Sequence, residues 1–435
     1  MQIARILTCV ACSFPLLLTS QSISGDVAEA QSAFTSGQYS RAAELYKKAV
    51  ATHSPSAELQ TDLGLAYQMQ GEHLRAIGSY LAALRVEELP RTRELLAIER
   101  CRLRQFHTVS PLLAKIAENL SYSDALLPVL SPCFLQADNA VDAIRVAKTL
   151  IVSRTMPQDA ALIYQGQASM NASNFFISEL GKTPEGPVYI QYLKAARDAG
   201  SEDARGGFSL AIAHSSYLHP DLTLEEGIAL LPVHSGDPAL LYMLSVLSGE
   251  QAMESILECE RKYPESPGLE QFQAEMLANQ GQTQQAEGIY LRLLKSHPEL
   301  PELRHSIGML YRGQGEWSQA LPLFQAELAA NPTDDRAVTG ISECLIQLGD
   351  YSQAIKFLAP RFVKTTPPLW AVLDLSLAYQ KLGRYLEAID VLRRGEKTFP
   401  RESQIHFRLM RLYTLTSQMD FAQKESALFQ EGKHP

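Results

Sequence analysis

Several signatures of catalysis and of nucleic-acid binding are missing from this 435-residue sequence. It contains no G-x-x-x-x-G-K-[ST] phosphate loop, no G-x-G-x-x-G after a strand, no H-E-x-x-H and no G-x-S-x-G, motifs that position catalytic or cofactor-binding groups. Acidic residues outnumber basic ones by 48 to 39, which gives a formal net charge of −9. A negative chain is poorly suited to neutralising phosphates. We therefore expect a protein that is not an enzyme, takes no cofactor and does not bind nucleic acid.

Long hydrophobic runs are also missing. The run at residues 6–18 is apolar apart from Thr8 and Ser13, has about 13 residues and includes Pro15, whereas a membrane-spanning helix needs roughly 20 apolar residues. Arg5 precedes the run and small polar residues follow it, an arrangement typical of a secretory signal. We therefore predict a signal peptide at 1–25, no transmembrane segment after its cleavage, and export to the periplasm or the medium. A buried or interfacial first helix is the alternative.

Cysteine is scarce, and the four cysteines that follow the predicted signal peptide form no C-x-x-C pair. Two of the six lie within the predicted signal peptide. The others are Cys101, Cys133, Cys259 and Cys344. Export would permit disulfides among them, but the sequence does not assign a pairing. We expect four buried, unpaired side chains, because free cysteine is among the most buried residue types.

What the sequence does contain is a repeat of 34 residues. The period is marked by Ala252, Ala286, Ala320, Ala354, Ala388 and Ala422. Glycines precede four of these alanines by five residues: Gly281, Gly315, Gly349 and Gly383. Prolines follow four of them by twelve residues: Pro264, Pro298, Pro332 and Pro400. A glycine that ends one helix, a small residue at a close helix contact and a proline that ends the next helix together predict a helix-turn-helix unit.

The repeat resembles the tetratricopeptide repeat (TPR) family. Gly308, Tyr311, Ala320, Phe324 and Pro332 match the family's small, aromatic, alanine, aromatic and proline positions. In this register, units begin near 233, 267, 301, 335, 369 and 403. The resemblance implies an all-α fold, an α-solenoid in which stacked hairpins form a right-handed superhelix.

The repeat divides the chain into three regions after the signal peptide. Residues 26–120 hold N-terminal TPR units, 121–235 hold divergent helical hairpins, and 236–430 hold the C-terminal TPR array. In the middle region, units near 124 and 158 keep helical periodicity but lose the signature, and the pattern departs altogether over 182–235. That segment either interrupts the stack or consists of degenerate repeats.

The resemblance also implies a concave groove lined by first-helix residues. In the C-terminal array these are Gln271, Glu275, His305, Met309, Arg312, Thr339, Glu343, Trp370, Leu373, Leu377, Phe407, Arg408 and Arg411. Trp370, Leu373, Leu377 and Phe407 would form an apolar strip flanked by the two last arginines. Such a strip suits a peptide with apolar anchors. Alternatively, Trp370 packs between hairpins.

The leading hypothesis is thus an exported TPR scaffold that binds a partner polypeptide, of unknown identity, in its groove. The alternative is a module that binds or senses glycans or small molecules in the cell envelope, with its pocket in 182–235. The densest titratable group of that segment is His214, His219, Asp221, Glu225, Glu226 and His234. Its spacing matches no helix-based ligand pair, so we predict no metal site and a solvated loop.

Overall fold

The computed structural model describes residues 25–52, 54–103, 105–118, 120, 126–136, 139–198, 204–300, 302–330, 334–364 and 368–431. The predicted signal peptide thus lies outside the described residues, apart from Gly25. Within the described ranges, all regular secondary structure is helical. The predicted all-α fold of stacked helical hairpins is confirmed. No helix in this part of the chain is both long and apolar enough to cross a bilayer.

The chain divides into two compact units, residues 1–269 and 270–435. The helices of the first unit are α1 Gly25–Thr35, α2 Tyr39–Thr52, α3 Ala57–Met69, α4 His73–Val86, α5 Pro90–Arg102, α6 Phe106–Ala117, α7 Leu127–Gln136, α8 Ala140–Ser153, α9 Gln158–Gly181, α10 Gly186–Asp198, α11 Phe208–His214, α12 Leu224–His234 and α13 Pro238–Lys262. From α1 to α10, each helix packs against the next. Neighbouring helices therefore share one another's apolar faces, as in a repeat array.

The second unit continues the hairpins with a regular register. Its helices are α14 Pro267–Asn279, whose residues from Glu270 onward belong to this unit, α15 Thr283–Ser296, α16 Leu303–Gln314, α17 Trp317–Ala330, α18 Asp335–Gln347, α19 Tyr351–Lys364, α20 Leu369–Lys381, α21 Tyr385–Thr398, α22 Ser403–Leu415 and α23 Met419–Glu431. From α15 to α23, each helix packs against the next. The buried alanines that mark the period, such as Ala320 and Ala354, lie in the second helix of each hairpin.

The turns between paired helices depend on a left-handed residue. The predicted turn glycines all have φ between 72° and 77°, as do two glycines of the first unit: Gly37, Gly71, Gly281, Gly315, Gly349 and Gly383. At Gly315, the amide of the next residue donates to the Tyr311 carbonyl, which closes the end of α16. In the last hairpin, Ser417 takes the same place with φ 59°. The local backbone requirement thus explains the period of the glycines.

Two predicted hairpins are wrong, because the chain forms single long helices there. The unit predicted near 233 is α13, one helix of 25 residues, and the unit near 158 is α9, one of 24. In the first case Leu247 stands five residues before Ala252, where the period would place a turn glycine. Without a residue suited to a left-handed turn, the helix continues. Helices α9 and α13 pack along one another, and the Ser173 hydroxyl of α9 donates to the Ser245 carbonyl of α13 at 2.7 Å.

Phe324 illustrates how the hairpins of the second unit interlock. Its fully buried ring lies between glycines of the two neighbouring first helices, Gly308 of α16 and Gly340 of α18. A Cβ atom on Gly308 would lie 2.8 Å from the ring, and one on Gly340 would lie 2.7 Å from it. Because both distances are below a normal contact, the ring position requires that both residues lack a side chain.

The prediction that all four cysteines are unpaired is wrong for Cys101 and Cys133. Cys101 of α5 and Cys133 of α7 form a disulfide, with their Cα atoms 5.8 Å apart. Their sequence separation of 32 is close to one repeat, so they occupy similar places on neighbouring first helices. Cys259 and Cys344 are free and buried as expected, and burial raises the pKa of each thiol to about 11.

Candidate functional site

The candidate site is the surface of successive first helices in the second unit, α14, α16, α18, α20 and α22, which we call the first-helix face. All thirteen residues predicted to line the groove lie on these five helices. Each helix contributes two or three of them. Side-chain contacts join neighbouring first helices along this face, and these contacts decide which groups remain open to a partner.

Glu275 joins α14 to α16. Its carboxylate accepts hydrogen bonds from the Ser306 hydroxyl at 3.1 Å and the Gln271 amide at 3.4 Å. Burial raises the pKa of Glu275, although both hydrogen bonds favour its charged form. Gln271 and Glu275 therefore form an internal link rather than a free acidic group.

His305 points into its own hairpin. Its Nδ1 lies 3.0 Å from the carboxylate of Glu327 on α17, and its ring meets the edge of Phe324. Only 15% of the His305 side chain is exposed. The residue predicted to line the groove thus mainly fastens the first helix to the second.

An ion pair joins α16 to α18. The Arg312 guanidinium lies 2.6 Å from the Glu343 carboxylate, and it also approaches the sulfur of Met309 at 3.5 Å. Met309 itself is 41% exposed. Thr339 lies half-buried one turn before Glu343 on α18. This part of the first-helix face consequently presents an ion pair with no net charge beside the exposed thioether of Met309.

Asp374 joins α18 to α20, and the sequence register did not single it out. The Ser342 hydroxyl donates to its carboxylate at 2.7 Å. Burial raises the pKa of Asp374, whereas the hydrogen bond and the nearby Arg408 lower it. A sign of this role in the sequence is that Asp374 is an acidic residue among the mainly apolar residues of α20.

The Arg408 guanidinium is engaged within the second unit and is not available beside the apolar strip. Its guanidinium donates to the Leu373 carbonyl at 2.5 Å and approaches the Ser376 hydroxyl at 3.4 Å, so it docks α22 against α20. Burial lowers the pKa of Arg408, and the charge of Asp374 opposes that shift. The predicted pair of flanking arginines is therefore reduced to Arg411.

The four residues of the predicted apolar strip differ in their exposure. Trp370 and Leu373 pack half-buried against the core of the second unit, and Leu377 is half-buried. Phe407 is exposed, with its ring 5.3 Å from the Phe429 ring of α23. The guanidinium of Arg411 lies 5.8 Å from the centroid of the Phe407 ring. Trp370 thus contributes to packing between hairpins, and Phe407 offers the more accessible aromatic surface.

The titratable group of the middle region is engaged in separate local contacts. His214 meets the Tyr189 hydroxyl at 2.8 Å, and Glu226 caps α12 through Thr223. His234 stacks on Tyr217. The only His, Cys, Asp and Glu side chains that lie within 4.8 Å of one another in a group of three, among the described residues, are Glu396, His406 and Glu425. The middle residues therefore do not converge on one site.

The group around His406 is an ion-pair network inside the last hairpins. His406 Nδ1 lies 2.7 Å from Glu425, and its Nε2 lies 3.0 Å from the Pro400 carbonyl. The guanidinium of Arg393 bridges Glu425 at 2.9 Å and Glu396 at 2.6 Å. Because Arg393 already supplies a cation between the two carboxylates, the donor set fits an internal salt bridge better than a metal site.

A separate cleft opens on the second helices. It has a volume of about 410 Å³ and lies between α17 and α19, over Ile341 and Leu345 of α18. Its other lining residues are Gln325, Leu328, Ala329, Gln353 and Phe357. The cleft is mostly apolar and lies outside 182–235, where the alternative hypothesis placed a ligand pocket.

Comparisons with known proteins concern the repeat and the fold. Three family models, each described as a tetratricopeptide repeat, match residues 27–90, 273–299 and 311–361. No functionally curated protein shows significant sequence similarity to the chain.

Comparison with solved structures finds, among others, three with a low level of similarity to this chain. MamA AMB-1 is 19% identical and covers 38% of this chain and 90% of its own, with a TM-score of 0.34. Yeast Tom70 is 13% identical and covers 94% of this chain and 90% of its own, with a TM-score of 0.35. The APC/C hetero-tetramer Cut9–Hcn1 is 14% identical and covers 99% of each chain, with a TM-score of 0.32.

Proposed function

The chain is a multi-repeat TPR protein, and from this premise we propose that it is a non-catalytic scaffold that binds a partner polypeptide across the first-helix face of its second unit. The supporting observation is the distribution of open side chains on that face. Met309, Phe407 and Arg411 are exposed on it, while most of the neighbouring polar groups are bound to one another. A partner can therefore contact apolar and cationic groups without first breaking internal hydrogen bonds.

The contacts between first helices also favour binding. Glu275, Arg312, Asp374 and Arg408 each link a first helix to the next. Links of this kind hold the exposed residues at set spacings, so little conformational freedom is lost when a partner is bound. An extended surface with a few aromatic or basic anchors is typical of peptide recognition.

A site-specific crosslinking experiment tests this function. A photoreactive residue replaces either Met309 on the first-helix face or Leu386, a 69% exposed residue on the second helix α21. We expect a discrete polypeptide adduct from a native extract with the first variant and little with the second. Adding Phe407→Ala should reduce the adduct, because it removes the exposed aromatic anchor.

One result would contradict the proposal, and a second would restrict it to part of the face. Equal labelling from positions 309 and 386 would remove the preference for the first-helix face. An adduct at position 309 that persists unchanged in the Phe407→Ala variant and in the Trp370→Ala plus Phe407→Ala variant would move the binding surface elsewhere on α14 to α18. Circular dichroism of each variant checks that the helices remain, which matters most for the half-buried Trp370.

We also propose that the protein is exported. The predicted signal peptide motivates this proposal, and the Cys101–Cys133 disulfide supports it, because disulfides persist in oxidising compartments and are rare in the cytosol. Export to the periplasm and release to the medium are both consistent with that disulfide.

Thiol counting checks the redox state. We expect the protein purified from its native source under alkylating conditions to gain two reactive thiols on reduction in denaturant, from Cys101 and Cys133. The Cys101→Ser variant should gain none. A native protein that also gains none would carry reduced cysteines and would argue for a reducing compartment.

A further inference from the structure

The end of the chain has a charge of opposite sign to the rest. Residues 351–435 contain 13 lysines and arginines against 8 aspartates and glutamates, while the whole chain contains 39 against 48. The last repeats are therefore locally basic in an acidic protein. A local excess of positive charge attracts acidic partners and raises their association rate.

On the first-helix face itself, the acidic groups are already engaged. The Glu275 carboxylate is bound by Ser306, Glu343 is paired with Arg312, and Asp374 is bound by Ser342. Each carboxylate has a donor within the chain, so none of them calls for a basic partner.

Among the predicted groove residues that the structure describes, the basic side chains other than Arg411 are engaged within the chain. Arg312 is paired with Glu343, and Arg408 is bound to the Leu373 carbonyl. Arg411 is exposed and forms no ion pair with the residues that the structure describes; its contact there is with the ring of Phe407. A guanidinium stacked on an aromatic ring still presents its N–H edge to a carboxylate.

Arg411 also lies beside the accessible part of the apolar strip. Phe407 is one turn away on α22, and Arg408 of the same turn fastens α22 to α20, which carries Leu373 and Leu377. A carboxylate bound at Arg411 would therefore place its neighbouring side chains next to apolar surface. The arrangement combines one charge-assisted contact with apolar anchoring.

We propose that the polypeptide bound by the last repeats is an acidic segment with apolar anchors, whose carboxylate pairs with Arg411 while an aromatic or aliphatic side chain packs on Phe407. This inference rests on the proposed function and adds the chemistry of the partner. The basic end of the chain guides the segment to the face, and Phe407 and Arg411 retain it.

Fluorescence anisotropy with defined peptides tests the inference. The probes are three labelled 15-residue peptides with identical leucine and phenylalanine positions and with glutamate, glutamine or lysine at the remaining sites. We expect the purified full chain to bind the glutamate peptide at least tenfold more tightly than the lysine peptide. The preference should weaken as NaCl is raised from 50 to 300 mM, because exposed charges are screened.

A matched pair of charge reversals locates the contact. Arg411→Glu should weaken the glutamate peptide about tenfold, since a like charge then faces its carboxylates. Lys356→Glu makes the same change in net charge on the exposed surface of the second helix α19 and should alter binding by no more than about twofold.

The outcomes separate this inference from the proposed function. Equal binding of the three peptides, or equal effects of the two reversals, would overturn the acidic-partner inference. If that binding is lost in Phe407→Ala, the proposed peptide-binding function still stands. Failure of all three peptides to bind would contradict both.

Discussion

Gly308→Leu is expected to destabilise the second unit by about 3 kcal/mol, the upper range for overpacking of a core. A Cβ atom at this position would lie 2.8 Å from the Phe324 ring. The ring cannot move away, because it is fully buried and Gly340 confines its other side. The hairpin of α16 and α17 must therefore separate or the ring must leave its rotamer. Urea unfolding followed by circular dichroism measures the loss.

Gly313→Leu provides the control in the same helix. A Cβ atom at Gly313 would meet no neighbouring atom within 4 Å, and the position is exposed. Because leucine favours a helix over glycine by up to about 1 kcal/mol, this variant should be slightly more stable than the wild type. Equal stability of the two variants would show that the Phe324 ring is not confined between α16 and α18.

Glu425→Gln is expected to lower stability by about 3 kcal/mol, because removing one member of a buried ion pair leaves the other charges uncompensated. Glu425 has no exposed side-chain surface and contacts both His406 and Arg393. Both nitrogens of His406 face acceptors, Glu425 and the Pro400 carbonyl, so the charged imidazolium satisfies both contacts. The loss should concentrate in α22 and α23, where hydrogen exchange would report it.

The control and the pH dependence make this prediction specific. Glu396→Gln, which removes a partly exposed partner of the same Arg393, should lower stability by less than about 1 kcal/mol. Burial lowers the pKa of His406, but the hydrogen bonds to Glu425 and Pro400 and the charges of Glu425 and Glu396 outweigh it and hold that pKa above its ordinary value.

A raised pKa in the folded state stabilises the protein at low pH. This contribution is fully present below about 6.5, the ordinary pKa of histidine, and is lost as the pH rises through the folded-state value. The stability difference between wild type and Glu425→Gln should therefore shrink from pH 6 toward pH 9 without vanishing, since Arg393 stays charged. Urea midpoints across this range measure it, and a difference that grows with pH would contradict the role of a charged His406.

Much of the fold was predictable from the repeat. The turn glycines were found from their spacing because a left-handed residue is a local requirement that the sequence displays directly. The long helices α9 and α13 were missed, although the sequence held a signal in Leu247 at a turn position. The family register predicted a hairpin at α13, whereas the absence of a turn glycine at position 247 indicates a continuous helix.

The candidate site was predictable in position but not in function. The register placed thirteen residues on the first helices, where the structure has them. It did not reveal that the His305 side chain turns toward Glu327. It also did not reveal that the Arg408 guanidinium donates a hydrogen bond to the Leu373 carbonyl. The hydrogen bond from the Ser342 hydroxyl to the Asp374 carboxylate was missed as well. Those partners lie between 22 and 35 residues away in sequence, so only packing brings them within reach.

The sequence by itself determined the helical hairpin, its turns and which residues lie on the first helices, because each depends on backbone conformation and side-chain periodicity within one repeat. The tertiary structure alone decided which charges are engaged, and with them the Cys101–Cys133 pairing and, within the described part of the chain, the position of Arg411 beside Phe407 and outside any ion pair. The physical reason is distance. An ion pair, a hydrogen bond or a disulfide exists only when neighbouring repeats bring two groups within a few ångströms, and spacing along the chain does not specify that approach.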